Sequence, residues 1–196
     1  MIVYYYERSF NESLFRQKEV ICLQGSDFLF ESAKSGNADS FALLYEKYAN
    51  QLYLYAYKFL ENREDAEDAV SQASINVYKN IKNIKKGNSF KAYYFKALSN
   101  SCRDILKKRN FTVLTADEAE GSTDSDLTEA AVIEKSMLDS ALEMLSDSER
   151  EIVLLSAVSG FTSAEISKIT GLTGGAVRSK LSRSLAKLRN LLEKEI

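Results

Sequence analysis

The sequence predicts an all-α protein built as two small helical domains joined by an acidic, flexible linker. Three observations lead there. Pro is absent and Gly occurs only 8 times in 196 residues, so long helices meet few breakers. Apolar residues recur at spacings of three and four through most of the chain, the period of an amphipathic helix. Residues 111–130 (FTVLTADEAEGSTDSDLTEA) carry six acids, no base and little to bury after Leu114, the composition of a self-repelling linker. That linker separates a first domain at 27–110 from a second at 131–196. Residues 1–26 stand apart as an N-terminal arm of mixed charge, with the run Tyr4-Tyr5-Tyr6 and a short apolar group at Val20–Leu23; no role is assigned to them.

Within the first domain, Phe28, Leu29 and Phe30 open a short helix that breaks near Gly36-Asn37. A longer helix follows, its apolar face made by Phe41, Leu44, Tyr45, Tyr48, Leu52, Tyr55, Ala56 and Phe59. Aromatics at that spacing are core residues rather than a cofactor box. The next helix, 64–84, buries Ala66, Ala69, Val70, Ala73, Ile75, Val77 and Tyr78. Its first turns hold Glu64, Asp65, Glu67 and Asp68, where acids suit the helix dipole. The helix dipole is sufficient to account for the cluster; a docking patch for a basic partner, with Gln72 and Asn76 further along, is the functional alternative. After the polar loop Lys85-Lys86-Gly87-Asn88-Ser89, a helix over 90–110 turns Phe90, Tyr93, Tyr94, Ala97, Leu98, Ser101, Ile105 and Leu106 inward. Lys91, Lys96, Arg103, Lys107, Lys108 and Arg109 remain for solvent or phosphate. Aromatics interleaved with cations suit single-stranded nucleic acid; a core-facing aromatic stripe on a lysine-rich helix accounts for them equally.

The second domain begins with a helix carrying Val132, Met137, Leu138, Leu142 and Leu145. Ser146 and Glu149 form a capping box for the next helix, which carries Ile152, Val153, Leu155 and Val158. Thr162 and Glu165 form another, opening a short helix that Gly171 ends. Thr173 caps a last helix with Val177, Leu181, Leu185, Leu188 and Leu192 on one face, and with no acid between 176 and 190. A short helix, a glycine turn and a basic amphipathic helix make the helix-turn-helix pattern, whose second helix enters the DNA major groove. A basic-faced helical hairpin that only keeps the protein soluble is the plainer alternative.

The formal net charge of −2 hides a segregated distribution. Residues 79–110 hold ten Lys or Arg against the single acid Asp104, while 61–78 hold five acids and one base. Phosphate binding needs local positive potential rather than a basic total. An enzyme finds no support: His is absent, no nucleophile stands beside a base, and no glycine loop cradles a phosphate. Cys22 and Cys102 have neither disulfide-scaffold numbers nor metal-ligand spacing, so no catalytic residue, metal or cofactor is expected. No apolar run approaches the ~18 residues of a membrane span, and MIVYYYERSF turns charged too early for a signal peptide. A cytoplasmic protein without membrane insertion is the expectation.

The order of these motifs resembles the bacterial RNA polymerase sigma factors of the sigma-70 family, extracytoplasmic-function type. Three blocks carry the likeness. In EDAEDAVSQASINVYKNI, Ala66, Glu67, Asp68 and Gln72 match the family's acidic block. In FKAYYFKALSNSCRDILKKR, Phe90, Asn100 and Asp104 match, while Tyr93, Tyr94 and Lys107 stand where the family has Trp, Leu and Arg. From 142 to 192, Glu165, Ile166, Gly175, Val177, Ser179, Leu181 and Arg183 match, and Ser167, Ala176 and Lys180 depart conservatively.

The resemblance implies a transcription initiation factor that binds core RNA polymerase and directs it to specific promoters. Asp65, Glu67, Asp68, Gln72 and Asn76 would dock on the β′ clamp helices, and the β flap is a further expected polymerase contact. Lys85, Lys86, Lys91, Tyr93, Tyr94, Lys96, Asn100, Arg103 and Lys107 would hold the opened minus-ten element. A non-template base turned out of the stack would be read in a protein pocket there. Thr173, Arg178, Ser179, Lys180, Arg183 and Lys187 would contact the minus-thirty-five element in its major groove. The linker would thread the polymerase's RNA channel, and an anti-sigma factor is a further implied partner. Two other readings stay open on the residues alone. One is a free-standing helix-turn-helix regulator, binding a two-fold duplex site as a dimer. The other is an interaction protein that binds polymerase or a regulator without initiating.

Overall fold

The structure, a computed structural model, describes residues 26–85, 87–116 and 137–193. The N-terminal arm and most of the linker lie outside the described residues. Among those described there are eight α-helices and no strand. Four make the first domain: α1 Ser26–Lys34, α2 Ala38–Leu60, α3 Arg63–Asn80 and α4 Phe90–Ala116. Four make the second: α5 Met137–Glu143, α6 Asp147–Ala157, α7 Ser163–Thr170 and α8 Gly174–Glu193.

Side-chain caps place the helix starts. Asn37 accepts from the Ser40 N–H at 2.8 Å to begin α2, and Asn62 accepts from the Asp65 N–H at 2.9 Å to begin α3. Between them Glu61 takes the left-handed conformation (φ 56°), and its N–H returns to the Tyr57 carbonyl. Two residues therefore reverse the chain, and α2 and α3 run antiparallel. Buried Ala66, Ala69 and Ala73 give α3 a slim inner face that lets α4 approach closely. The core between α1, α2 and α4 is aromatic: Phe30, Tyr55, Phe59, Phe90, Tyr94 and Phe95 are all fully buried. Phe90 meets Tyr94 edge-on at 5.7 Å, and Phe95 meets Tyr55 edge-on at 5.8 Å, the arrangement that ring quadrupoles favour.

Three expectations need correction. Helix α3 stops at Asn80 instead of reaching Ile84, tightening into a 3-10 turn at Ile81–Asn83 that buries both Ile81 and Ile84. Ile75 and Tyr78, expected inside, fall off the buried line of Ala66, Ala69, Val70, Ala73 and Val77 and are exposed. Helix α4 continues past Asn110 to Ala116. Nothing from 111 to 116 breaks a helix; the acids begin at Asp117 and the next Gly is Gly121.

In the second domain both expected capping boxes form. The Thr162 N–H and hydroxyl donate to Glu165 at 2.9 and 2.7 Å, and those of Ser146 donate to Glu149 at 3.0 and 2.8 Å. Gly171 supplies the left-handed exit (φ 78°) between α7 and α8. The core gathers Leu142, Leu145, Ile152, Leu155, Ile166, Ile169, Val177 and Leu188. On α8 the buried line runs through Ser184, and Leu185, expected inward, is exposed. The helix axis therefore lies rotated from the stripe that its leucines suggest.

The two domains pack together, α6 on α2 and α7 on α4. Phe161 meets Phe95 edge-on at 5.2 Å. Arg150 donates to the Phe59 carbonyl at 3.3 Å and to Glu61 at 2.8 Å, and Lys58 pairs with Asp139.

The capping boxes give a stability test. Accepting those N–H and hydroxyl bonds lowers the pKa of Glu165, so its contribution is full above the ordinary glutamate range and is lost as pH falls through the depressed value. Thr162→Ala is expected to lower the urea-unfolding free energy by about 1 kcal/mol with the m-value unchanged. Glu165→Gln should remove part of the acid-side loss.

Candidate nucleic-acid interface

Helical geometry sorts the predicted site residues into three stripes. On α8 the outward arc carries Arg178, Ser179 and Arg183, all exposed, with Arg183 Nε donating to the Ser179 carbonyl at 3.2 Å. Gly174, Gly175 and Ala176 precede them, so the start of α8 has no bulky side chain to hold it away from a partner. Thr173 does not point into this arc: its Oγ1 accepts from the Ala176 N–H at 3.3 Å, capping the helix. Lys180 and Lys187 leave the arc as well. Lys180 Nζ donates to Ser148 Oγ at 2.7 Å, and Lys187 Nζ to the Met144 carbonyl. Both lysines tie α8 back to its own domain.

On α4 the spacing of Lys96, Asn100, Arg103 and Lys107 is four, three and four, which places all four on one face. Lys96, Asn100 and Lys107 are exposed; Arg103 is half-buried at the edge of the stripe. Its guanidinium donates to Asn100 Oδ1 at 3.1 Å and to Glu151 Oε1 of the second domain at 2.6 Å. Lys107 lies 3.8 Å from Asp104. Lys85 is exposed at the loop that feeds this helix, and the Lys86 side chain lies outside the described residues. The loop is pinned from α1, where Lys34 Nζ donates to the Ile84 carbonyl at 2.8 Å. Gly87 packs so closely that a Cβ there would stand 3.3 Å from Asp27 Cα.

Two residues expected on this face are elsewhere. Tyr94 is fully buried, with its hydroxyl on Ser74, and burial raises its pKa far above that of a free tyrosine. It is a core residue and has no surface to offer a base. Lys91 stands roughly 150° around the helix from the stripe, at 100° per residue. Its ammonium donates to the Ser159 carbonyl and sits 4.9 Å from the Phe161 ring centroid. Burial lowers its pKa, with Glu165 acting in the opposite direction. Tyr93 is half-buried against the first-domain core.

The third stripe is on α3. Asp65, Asp68, Gln72 and Asn76 recur at three and four, and the last three are exposed. Asp65 is engaged by Arg109 at 3.4 Å, and Glu67 by Arg63 at 3.0 Å. Asn80 Nδ2 donates to both the side chain and the carbonyl of Asn76 at 2.9 Å. Gln72, Ile75, Asn76, Lys79 and Asn80 line a shallow groove beside the stripe. Ile75 was missed as a surface residue because it was read inward for its apolarity, although it stands two residues, about 200°, from both Ala73 and Val77 on the buried line.

Glu151 and Ser99, both buried, are the other omissions. Ser99 Oγ donates to Glu151, the carboxylate that also takes Arg103. No sequence signal marks either one, since they meet only across the domain seam. Cys102 lies in the same region, its thiol pushed up to about 12, chiefly by burial and further by the Glu151 charge. Among the described residues no group of three or more His, Cys, Asp and Glu could hold a metal ion, and no helix is long and apolar enough to cross a membrane.

Comparison with known proteins matches this architecture. The family models for sigma-70 region 2 and sigma-70 region 4 match residues 44–112 and 135–188, together 123 of the 196 residues. The ECF RNA polymerase sigma factor SigW of Bacillus subtilis is 27% identical over 175 residues, covering 83% of this chain and 94% of SigW. The ECF RNA polymerase sigma factor BldN of Streptomyces coelicolor is 27% identical over 172 residues, covering 84% of this chain and 64% of BldN. Among solved structures, CnrH in complex with the cytosolic domain of CnrY shares the fold. Its TM-score is 0.68 at 24% identity, covering 88% of this chain and all of that one. The sigma factor RpoE of Bartonella quintana, in complex with the anti-sigma factor NepR, has a TM-score of 0.67 at 24% identity, covering 80% and 98%.

The chain belongs to the sigma-70 family of bacterial RNA polymerase sigma factors and is of the extracytoplasmic-function type. It is a transcription initiation factor: it binds core RNA polymerase and directs it to promoter DNA. Sigma factors are non-catalytic, and the free-standing regulator is not the reading these matches favour.

A thiol held in the neutral form is a poor nucleophile. Cys102 is therefore expected to escape iodoacetamide at mildly alkaline pH in the folded protein and to react once urea unfolds it, as read by peptide mass mapping.

Proposed function

We propose a division of labour among the three stripes. The arc of Arg178, Ser179 and Arg183 reads the minus-thirty-five element in the major groove, where a bidentate Arg–guanine contact discriminates by about 1–3 kcal/mol. Thr173, Lys180 and Lys187 support that helix from behind. The α4 stripe of Lys96, Asn100, Arg103 and Lys107 tracks the opened minus-ten strand, with Lys85 and Lys86 on the adjoining loop and Tyr93 at its margin. The α3 stripe of Asp65, Asp68, Gln72 and Asn76, with Glu67 beside it, docks on the β′ clamp helices, and the second domain rests on the β flap. The acidic linker occupies the RNA channel. Work of this kind places the protein in the cytoplasm, with no cofactor. An anti-sigma factor is a further partner, in keeping with the complexes of CnrH and of Bartonella RpoE.

The single observation that carries this reading is the separation of charge. Two cation-bearing faces stand on different domains, while the acids of α3 form their own face. A protein of net charge −2 gains little from phosphate neutralisation when its cations are split in this way. Held by core polymerase, both faces act on one DNA molecule, and linkage raises their effective concentration.

In vitro transcription from a promoter library with purified core polymerase tests it. Discrete starts that depend on the protein are expected. Arg178→Ala with Arg183→Ala should abolish dependence on the upstream sequence, and Asp68→Ala should weaken core binding measured by pull-down. Specific duplex binding by the protein alone, with no starts in the presence of core, would contradict the proposal.

A further inference from the structure

We infer that Glu151 is an internal competitor for the nucleic-acid phosphate that Arg103 would otherwise bind, so that separating the domains and arming the α4 stripe are one event. The inference rests on the reading of that stripe as a single-strand face. Glu151 is the one charged side chain buried among the described residues, 5% exposed, although it belongs to a helix whose own domain gives it no cation. Its two hydrogen-bonded partners, Ser99 and Arg103, are both on the other domain. A carboxylate buried in this way is tolerated only when paired and hydrogen-bonded, so the closed arrangement needs Arg103. The Arg103 guanidinium in turn spends one edge on Glu151 and donates from its other terminal nitrogen to Asn100. Two of the four stripe residues are thereby bound up within the protein.

The rest of the seam acts in the same direction. Lys91, which stands off the stripe, is held by the Ser159 carbonyl and the Phe161 ring, and Phe161 packs on Phe95. Glu151 of α6 and the α6–α7 connection with Ser159 and Phe161 thus lie along the buried side of α4 that Arg103 borders. A guanidinium binds carboxylate and phosphate by the same charge-assisted N–H bonds, and one whose charge is already neutralised by Glu151 contributes little to phosphate neutralisation. Freeing it adds one cation to the stripe.

The test is fluorescence anisotropy of a short labelled single-stranded oligonucleotide of mixed sequence, titrated with the full chain over a salt series. One added cation steepens the slope of log K against log salt by about 0.7, equivalent to ~5-fold tighter binding near 0.1 M salt. Glu151→Gln is expected to give that gain, and Arg103→Ala should erase it in the double variant. Phe161→Ala loosens a separate part of the seam and should move binding the same way, which guards against a fold defect peculiar to Glu151→Gln. If neither variant changes affinity or slope while Arg103→Ala still weakens wild-type binding, Arg103 already reaches the strand in the closed form and the inference is wrong. If Arg103→Ala has no effect even in the Glu151→Gln background, the single-strand reading of α4 has failed with it.

Discussion

Helix α4 must satisfy three different neighbours with one amphipathic sequence. At 100° per residue, Phe90, Tyr94, Leu98 and Ile105 fall on the side facing the first-domain core. Phe95, Ser99 and Cys102 fall on a second buried side, against the other domain. Only the remaining third, with Lys96, Asn100 and Lys107, is left exposed. A helix hydrophobic on one stripe would either dock in its domain or carry a basic face; α4 does both and also seals the seam. The rest follows from that constraint. The alanines of α3 bring its axis close, the aromatic core fills the space beneath it, and Arg103 stands where the basic stripe borders the buried side.

This three-way demand explains the electrostatics. Cations that border a buried face must find partners there or lose charge. Lys91 takes a carbonyl and an aromatic ring and has a lowered pKa. Arg103 takes a buried carboxylate instead. Placing that carboxylate on α6 couples the two domains by charge as well as by the Phe95–Phe161 contact. Surface pairs such as Arg63–Glu67 contribute little by comparison, being exposed and screened.

What could be read from the chain was mostly local. Capping residues, the left-handed Gly171 and the spacing of apolar residues act over three or four positions, and the helix starts at Ser146 and Thr162 followed from them. The outward placement of Arg178 and Arg183 was legible because neither falls on the apolar stripe of α8, and both are exposed. Errors came where a second element decided the outcome. Tyr94 looked available for stacking because its alternation with lysines fits a nucleic-acid face equally well, and only Ser74 on α3 shows it to be core. Leu185 and Ser184 exchanged places because packing on α6 and α7 sets the rotation of α8, and periodicity alone does not. Glu151 and Ser99 carried no local mark, since their meaning is a contact between residues 52 positions apart in different domains.

If the Glu151–Arg103 pairing masks the α4 stripe, the closed pairing of domains is the resting state and core polymerase must part them. Intramolecular energy transfer tests it most directly. One dye would be placed at Lys82→Cys in the first domain and the other at Glu193→Cys at the end of α8, with Cys22 replaced by Ser. The account predicts efficient transfer in the free protein and a clear fall on adding core enzyme, without any promoter present. Transfer that stays at its free value in the presence of saturating core would contradict it, for the domains would then bind polymerase without parting.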